Sequence, residues 1–435
     1  MQILIKFKKI ENKVVLRKKV FNEFIIILVA QIISTLIALF GVRILTEYLG
    51  PTQYGILGLS LTVTTVVGQL IYGPFSNSFS RFYSIYNENK RIYEFSRILL
   101  VILKKILVSS SILFLLFLFI IYQWNKSLLW IAVLSFIFAS LNGINGIFDS
   151  IQNAARDRLI VAFHQICFIF LKITFAIILI ILFSSTATAA LSGYNLAGII
   201  IISSQFIFLN KRLNFTVSNY SINSLKEIKS YASPFIYWGI FTFIHQISDK
   251  WSLLVFQNTE NVGLYSVLYQ LGYSPIIILT TALVKVLAPI LFEKAGDASN
   301  TNRMKVVKKY NTLLFLLSIS ITLISFVFVF FTHEIIFKVF VAASFNEISY
   351  LLPYVVLAAG FFATGQIITI YQLSQISSKH LLFPKIFTSI IGLVLNIFCA
   401  YLWGIKGIIF ALIIYSLIYL LWMILITYLV KDNEN

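Results

Sequence analysis

Apolar residues come in long, nearly unbroken runs, with only scattered polar positions inside them. Runs of about 20 residues recur along the whole chain, each long enough to cross a hydrocarbon core of about 30 Å as an α-helix. The pattern predicts twelve spans, at 21–46, 54–80, 98–122, 127–150, 160–183, 188–209, 232–256, 262–291, 310–332, 349–375, 381–402 and 405–430. The ten-residue alternating segments of a membrane barrel are missing. The longest connections, around 81–97, 210–231 and 292–309, are short, polar and basic. None has room for a soluble catalytic domain. The chain therefore reads as an all-α polytopic membrane protein. Its basic first 20 residues lead straight into a full span with no small-residue cleavage site, so they read as a tail and not a signal peptide.

Composition agrees. Of 435 residues, 59% are hydrophobic and 11% charged, with a mean hydropathy of +0.91; a soluble domain carries about 25% charged residues. Lysine and arginine concentrate in the N-terminal tail and the even-numbered connections and nearly vanish from the odd-numbered ones. By the positive-inside rule both termini lie in the cytoplasm, giving a multi-pass protein of the cytoplasmic (inner) membrane. Basic loops facing anionic membrane lipids account for most of the net charge of +18, so no nucleic-acid partner is needed. Cys167 and Cys399 both fall within spans and no cysteine–histidine cluster accompanies them, which points to packing and to no metal.

Four of the cations inside spans are candidates for the interior: Arg43, Lys172, Lys250 and Lys285. Each costs about 2.5–3.5 kcal/mol at a helix centre, so such residues usually face an interior cavity. Arg43 and Lys250 sit near the outer ends of spans 1 and 7, and Lys285 near the inner end of span 8, where snorkelling to headgroups is an alternative. Lys172 is about mid-membrane and is expected to face the cavity. Asp249, with His245 one helical turn before it, is a candidate site for a coupling proton or sodium ion. A local ion pair with Lys250, or headgroup contact at the membrane boundary, is the simpler reading. Asn142, Asn145, Asp149, Asn153 and Arg156 line one face of span 4, and Thr62, Thr65, Gln69, Tyr72, Ser76 and Ser80 one face of span 2. Interhelical hydrogen bonding explains one such stripe. Two stripes together with Lys172 point to a hydrated, cationic pathway.

The two halves resemble each other weakly. Gly55 in YGILG matches Gly263 in VGLYS 208 residues later, and Ala197-Gly198 matches Lys406-Gly407. Two six-span halves of the same orientation are typical of transporters that rock one bundle against another. The expected organisation is a tail at 1–20, lobes at 21–209 and 232–430 joined by the cytoplasmic connection 210–231, and a tail at 431–435.

The segment Arg43-x-Leu45-x3-Leu49-Gly50-Pro51-x2-Tyr54-Gly55 resembles the first-loop signature of the bacterial polysaccharide (O-antigen) flippases of the Wzx type. The set Pro234, Asp249-Lys250 and Val262-Gly263-x-Tyr265-Ser266, with Gly404-x2-Gly407 at the last span, resembles the second half of that family. The resemblance covers nearly the whole chain. It implies the multidrug/oligosaccharidyl-lipid/polysaccharide (MOP) fold, MATE-like, with two six-helix lobes around a central cavity. It also implies a polyprenyl-diphosphate-linked oligosaccharide as substrate, carried to the outer leaflet for O-antigen or capsule synthesis alongside polysaccharide polymerase machinery. The excess of interior cations over carboxylates suits an anionic diphosphate.

A cation-coupled exporter of drugs or small solutes, on this fold or the major-facilitator fold, is the competing reading. A major-facilitator protein commonly has a Gly/Asp/Arg-rich loop between spans 2 and 3, where this chain reads RFYSIYNENKRIYEF. A membrane glycan polymerase needs a sizeable outer loop rich in arginine, whereas the longest one here, 333–348, has only Lys338. No nucleotide-binding loop or nucleophile constellation is present, so a transporter without cofactor is expected, not an enzyme.

Overall fold

The computed structural model describes residues 2–124, 126–213, 215, 219–296, 300–374 and 379–429, with most of their side chains. Among the described residues there are helices and short 3-10 and π turns but no strands. Nine described stretches are long and apolar enough to cross a membrane. Two of these are compound: α1 (Gln2–Val67) breaks at Gly50 (φ 64°) and α12 (Lys379–Ile424) at Gly404 (φ 55°). Positive φ is open to glycine because it has no Cβ. Pro51 then opens the return limb of α1, where its missing N–H costs nothing.

Side-chain pairings show that the chain doubles back at Gly50. Before it, Gln31 bonds Gln165 and Gly41 abuts Ile173, so this limb runs parallel to α5 (Arg158–Leu182). After it, Tyr72 abuts Gly143, and Ser76 bonds the Gly146 carbonyl and accepts from Ser150 through its own, parallel to α4 (Leu129–Ala154). α4 and α5 pair with α6 (Ala187–Leu213) in opposite senses. Leu134, Leu141 and Asp149 of α4 meet Asn195, Gly198 and Gln205, whereas Ala176 and His164 of α5 meet Gly193 and Ser204. α7 (Ile222–Phe256) is a 35-residue helix that starts ten residues before the expected span, with Ser221 accepting from the Asn223 N–H as its cap. Its first turns are polar, which hydropathy alone leaves outside a span. Connections alternate between a basic end, which holds 89–91, 155–157 and 219–221, and a distal end, which holds Gly50, 183–186, 257–258 and Gly404.

The return limb of α1, a π turn at Gly68–Tyr72 and α2 (Gly73–Glu88) form one rod. It packs on α7 and on a matching rod made of α8 (Thr259–Leu268), a π turn at Tyr269–Tyr273 and α9 (Ser274–Ala295). The rods cross backbone to backbone at Gly55 and Gly263. A Cβ on Gly55 would stand 2.0 Å from the Thr259 carbonyl oxygen, and one on Gly263 1.9 Å from that of Pro51. The two glycines matched between the halves thus touch each other reciprocally, the contact pattern of a two-fold axis. Gly263→Val is expected to force this crossing apart, costing about 1–3 kcal/mol as overpacking, visible as a lower unfolding midpoint in detergent.

The π turns show a second internal match. Gln69-Leu70-x-Tyr72-x-Pro74 recurs as Gln270-Leu271-x-Tyr273-x-Pro275, 201 residues on, and each copy forms a π turn with its proline two residues past the turn's end. Proline has no N–H and crowds the carbonyl four residues back; widening the preceding turn relieves both. α10 (Thr301–Phe340), a 3-10 stretch (Ala343–Leu351) and α11 (Leu352–Ser374) complete the second half.

Candidate functional site

One apolar core cluster runs across both halves. It contains Tyr54 and Tyr194 from the first and Tyr265, Tyr273 and Tyr415 from the second, with Tyr269 packed on it. Two of the in-span lysines face rings of this cluster. The Lys172 Nζ of α5 lies 5.0 Å from the Tyr194 ring centroid on α6, and the Lys250 Nζ of α7 lies 5.3 Å from that of Tyr269. Such a contact is worth about 0.5–2 kcal/mol; it leaves the Lys172 charge uncancelled, whereas Lys250 has the Asp249 carboxylate beside it in the chain. By contrast Arg43, Arg91, Arg158 and Arg212 pair with Glu47, Glu94, Glu23 and Asp157. Among the described ion pairs, neither Lys172 nor Lys250 appears.

In the second half, Asp249 is 4% exposed and its Oδ2 accepts from Tyr265 Oη at 2.6 Å. Tyr265, Tyr269 and Tyr273 stand one turn apart along α8 and its π turn, with successive centroids 6.1 and 4.7 Å apart. Tyr273 and Tyr415 of α12 are both buried in the same apolar cluster. The headgroup-contact reading of Asp249 is therefore corrected: α8 covers the carboxylate with a tyrosine. The neighbouring Ser248 accepts from Asn396 Nδ2 at 2.7 Å, tying this turn of α7 to α12.

Hydrogen bonds join the halves at both π turns. Tyr54 Oη donates to Gln270 Oε1 at 2.9 Å, and Gln69 Nε2 donates to Gln246 Oε1 of α7. The glutamine of each Gln-Leu-x-Tyr-x-Pro copy thus bonds the opposite half. Trp251 Nε1 also donates to Thr62 Oγ1 at 3.0 Å. At the distal end Arg43, expected among the cavity cations, instead serves a junction. Its guanidinium bonds the Lys338 and Val341 carbonyls and pairs with Glu47 at 3.0 Å, while the Ala342 N–H donates to Thr46 Oγ1. The last carbonyls of a helix have no intrahelical partner and form the negative end of its dipole, which suits an arginine there.

The span 4 stripe divides. Asp149 Oδ1 accepts from Gln205 Nε2 of α6 at 2.6 Å, Asn153 bonds the Asp149 carbonyl, and Arg158 bonds Asn153. Two stripe positions, Asp149 and Asn153, are thus engaged in packing α4 against α6 and in the α4–α5 turn. Asn142 and Asn145 are half-buried, and Asn145 Oδ1 has no hydrogen-bond partner among the described residues. Of the span 2 stripe, Ser80 joins Asn77, Arg81 and Tyr231 in lining a recess of about 440 Å³ at the basic end, between α2 and α7. The side chains of His245 and Lys285 lie outside the described residues.

Two matching rods, membrane-length helices and lysines held on tyrosine rings define a multi-pass membrane protein. Its fold is similar to that of a lipid II flippase, MurJ, in an inward closed conformation, with a TM-score of 0.68 at 15% identity over 92% of this chain and 87% of that one. It is also similar to a multidrug resistance MATE family transporter of the MOP superfamily in its outward-facing conformation, with a TM-score of 0.62 at 16% identity over 94% of each chain. The same comparison with an inward-facing MATE conformation gives 0.58 at 14% identity over 96% of each. Sequence comparison with curated proteins gives no match. Residues 20–294 match the model of the polysaccharide biosynthesis protein family, and the chain belongs to that family. Its fold is shared with the MurJ flippase and with MATE family transporters of the MOP superfamily.

Proposed function

We propose that this protein is a flippase that moves a polyprenyl-diphosphate-linked oligosaccharide across the cytoplasmic membrane for a surface polysaccharide such as O-antigen or capsule. The basic end lies in the cytoplasm, and residues 21–209 and 232–430 act as two lobes that rock about the Gly55–Gly263 crossing. The observation that carries the reading is Lys172, a half-buried ammonium held on a ring instead of a carboxylate. A charge kept uncancelled inside a membrane protein suits a ligand of opposite sign, and a diphosphate supplies it. Family membership and the lipid-linked cargo named for the MurJ flippase support the same substrate class.

Deletion of the gene followed by lipid extraction tests the substrate. Lipid-linked repeat units are expected to accumulate on the cytoplasmic side with surface polysaccharide lost. Normal polysaccharide and no accumulation would remove the proposal.

The buried Asp249 supports a second element, ion coupling. A carboxylate under a tyrosine hydroxyl is a place where a proton or sodium ion can exchange as the halves move. A transport rate that responds to an imposed proton or sodium gradient in proteoliposomes is the expected sign of it.

A further inference from the structure

A groove of about 960 Å³ lies away from the tyrosine cluster, between α3 (Ile92–Trp124), the first π turn with α2, and the start of α7. Four cations line it: Arg97, Lys104 and Lys105 on α3 and Lys229 on α7. No carboxylate is among its described lining residues, and none of the four cations is in a described ion pair. The rest of the lining is almost wholly apolar and includes Ile71 of the π turn, Val108 and Ile236. Arg97, Lys104, Lys105 and Val108 recur at helical spacing, on one face of α3. From Lys105 to the end of α3 at Trp124 is about 28 Å at 1.5 Å per residue, close to the thickness of the hydrocarbon core. The lysines therefore stand at headgroup depth on the basic end, with the apolar part of the groove rising into the hydrocarbon.

We infer that this groove binds an anionic phospholipid of the leaflet at the basic end, its phosphate among the four cations and its acyl chains along the apolar floor. Basic pockets between membrane helices at this depth are suited to phosphate headgroups. Like charges from both halves converge here, since Lys229 belongs to α7 and the other three to α3. A bound anion removes their mutual repulsion and bridges the halves over the π turn. The occupant is a resident lipid and not the transported one, because the groove opens on the perimeter at α3, whose Val108, Ile112 and Leu116 are more than half exposed.

The test uses the full protein in a neutral detergent, titrated with phosphatidylglycerol, phosphatidylcholine or polyprenyl diphosphate, and read by native mass spectrometry and thermal unfolding. Phosphatidylglycerol is expected to stay bound and raise the unfolding midpoint, with phosphatidylcholine having little effect. Arg97→Gln/Lys104→Gln/Lys105→Gln is expected to weaken phosphatidylglycerol binding by about tenfold or more, and Lys105→Gln alone by less. Lys305→Gln/Lys309→Gln, which removes exposed charges of α10, is expected to change nothing. Equal binding of phosphatidylcholine, or equal loss in the α10 variant, would overturn the assignment. So would displacement of phosphatidylglycerol by polyprenyl diphosphate at this site, which would make the groove part of the substrate path.

Discussion

Lys172→Ala is expected to abolish surface polysaccharide while the protein still accumulates in the membrane. An ammonium deep in a helix bundle costs about 2.5–3.5 kcal/mol, and its contact with the Tyr194 ring returns about 0.5–2 kcal/mol. The lysine is thus held at a net cost to the fold, and its removal leaves no carboxylate stranded among the described ion pairs. Loss of function without loss of protein separates a ligand contact from a packing role. Lys172→Met, which keeps most of the side-chain volume, is expected to be as inactive and at least as stable as the parent. Lys172→Arg keeps the charge and is expected to retain part of the activity. Quantifying polysaccharide and membrane protein together in the three variants checks this. Normal polysaccharide in Lys172→Met would remove Lys172 from the mechanism.

Asp249→Ala is expected to act in the opposite way, on stability first. Asp249 is nearly inaccessible, bonds Tyr265, and is electrostatically coupled to Lys250 beside it. Removing one member of a buried charged pair leaves the other uncompensated and costs about 3–5 kcal/mol. Little folded protein is expected to survive extraction. Asp249→Ala/Lys250→Met, which removes both charges, is expected to recover most of the lost stability, whereas independent sites would add their losses. If the double variant is stable yet cannot transport, the pair serves transport beyond the fold.

Much of the scaffold was legible in the chain. Runs of apolar residues marked the membrane helices because lipid leaves a spanning segment no other way to satisfy its backbone. Gly50 and Gly404 fall between the expected spans, and the structure breaks its helices there because few other residues reach positive φ. The Gly55–Gly263 match was visible as a repeat, and only the fold showed that the two glycines touch. The Gln-Leu-x-Tyr-x-Pro copies escaped a comparison at an offset of 208 because they stand 201 apart. Seven residues are about two helical turns, so such a difference shifts the offset and keeps the face. Arg43 and Asp249 were legible as costly charges, but their partners were not. The Val341 carbonyl, about 300 residues from Arg43, and the covering hydroxyl of Tyr265 come from the packing of separate helices. The span 4 stripe shows the same ambiguity: helical spacing places Asp149 and Asn145 on one side, but Asp149 bonds Gln205 of α6.

That a lysine in the first half meets the anionic headgroup is tested most directly by reconstitution. Purified protein in proteoliposomes is given a polyprenyl-diphosphate oligosaccharide labelled on the sugar, and the label reaching the opposite leaflet is measured with time. The parent protein is expected to move the label, Lys172→Arg more slowly, and Lys172→Ala no faster than protein-free vesicles. Translocation by Lys172→Ala at the parental rate would contradict it.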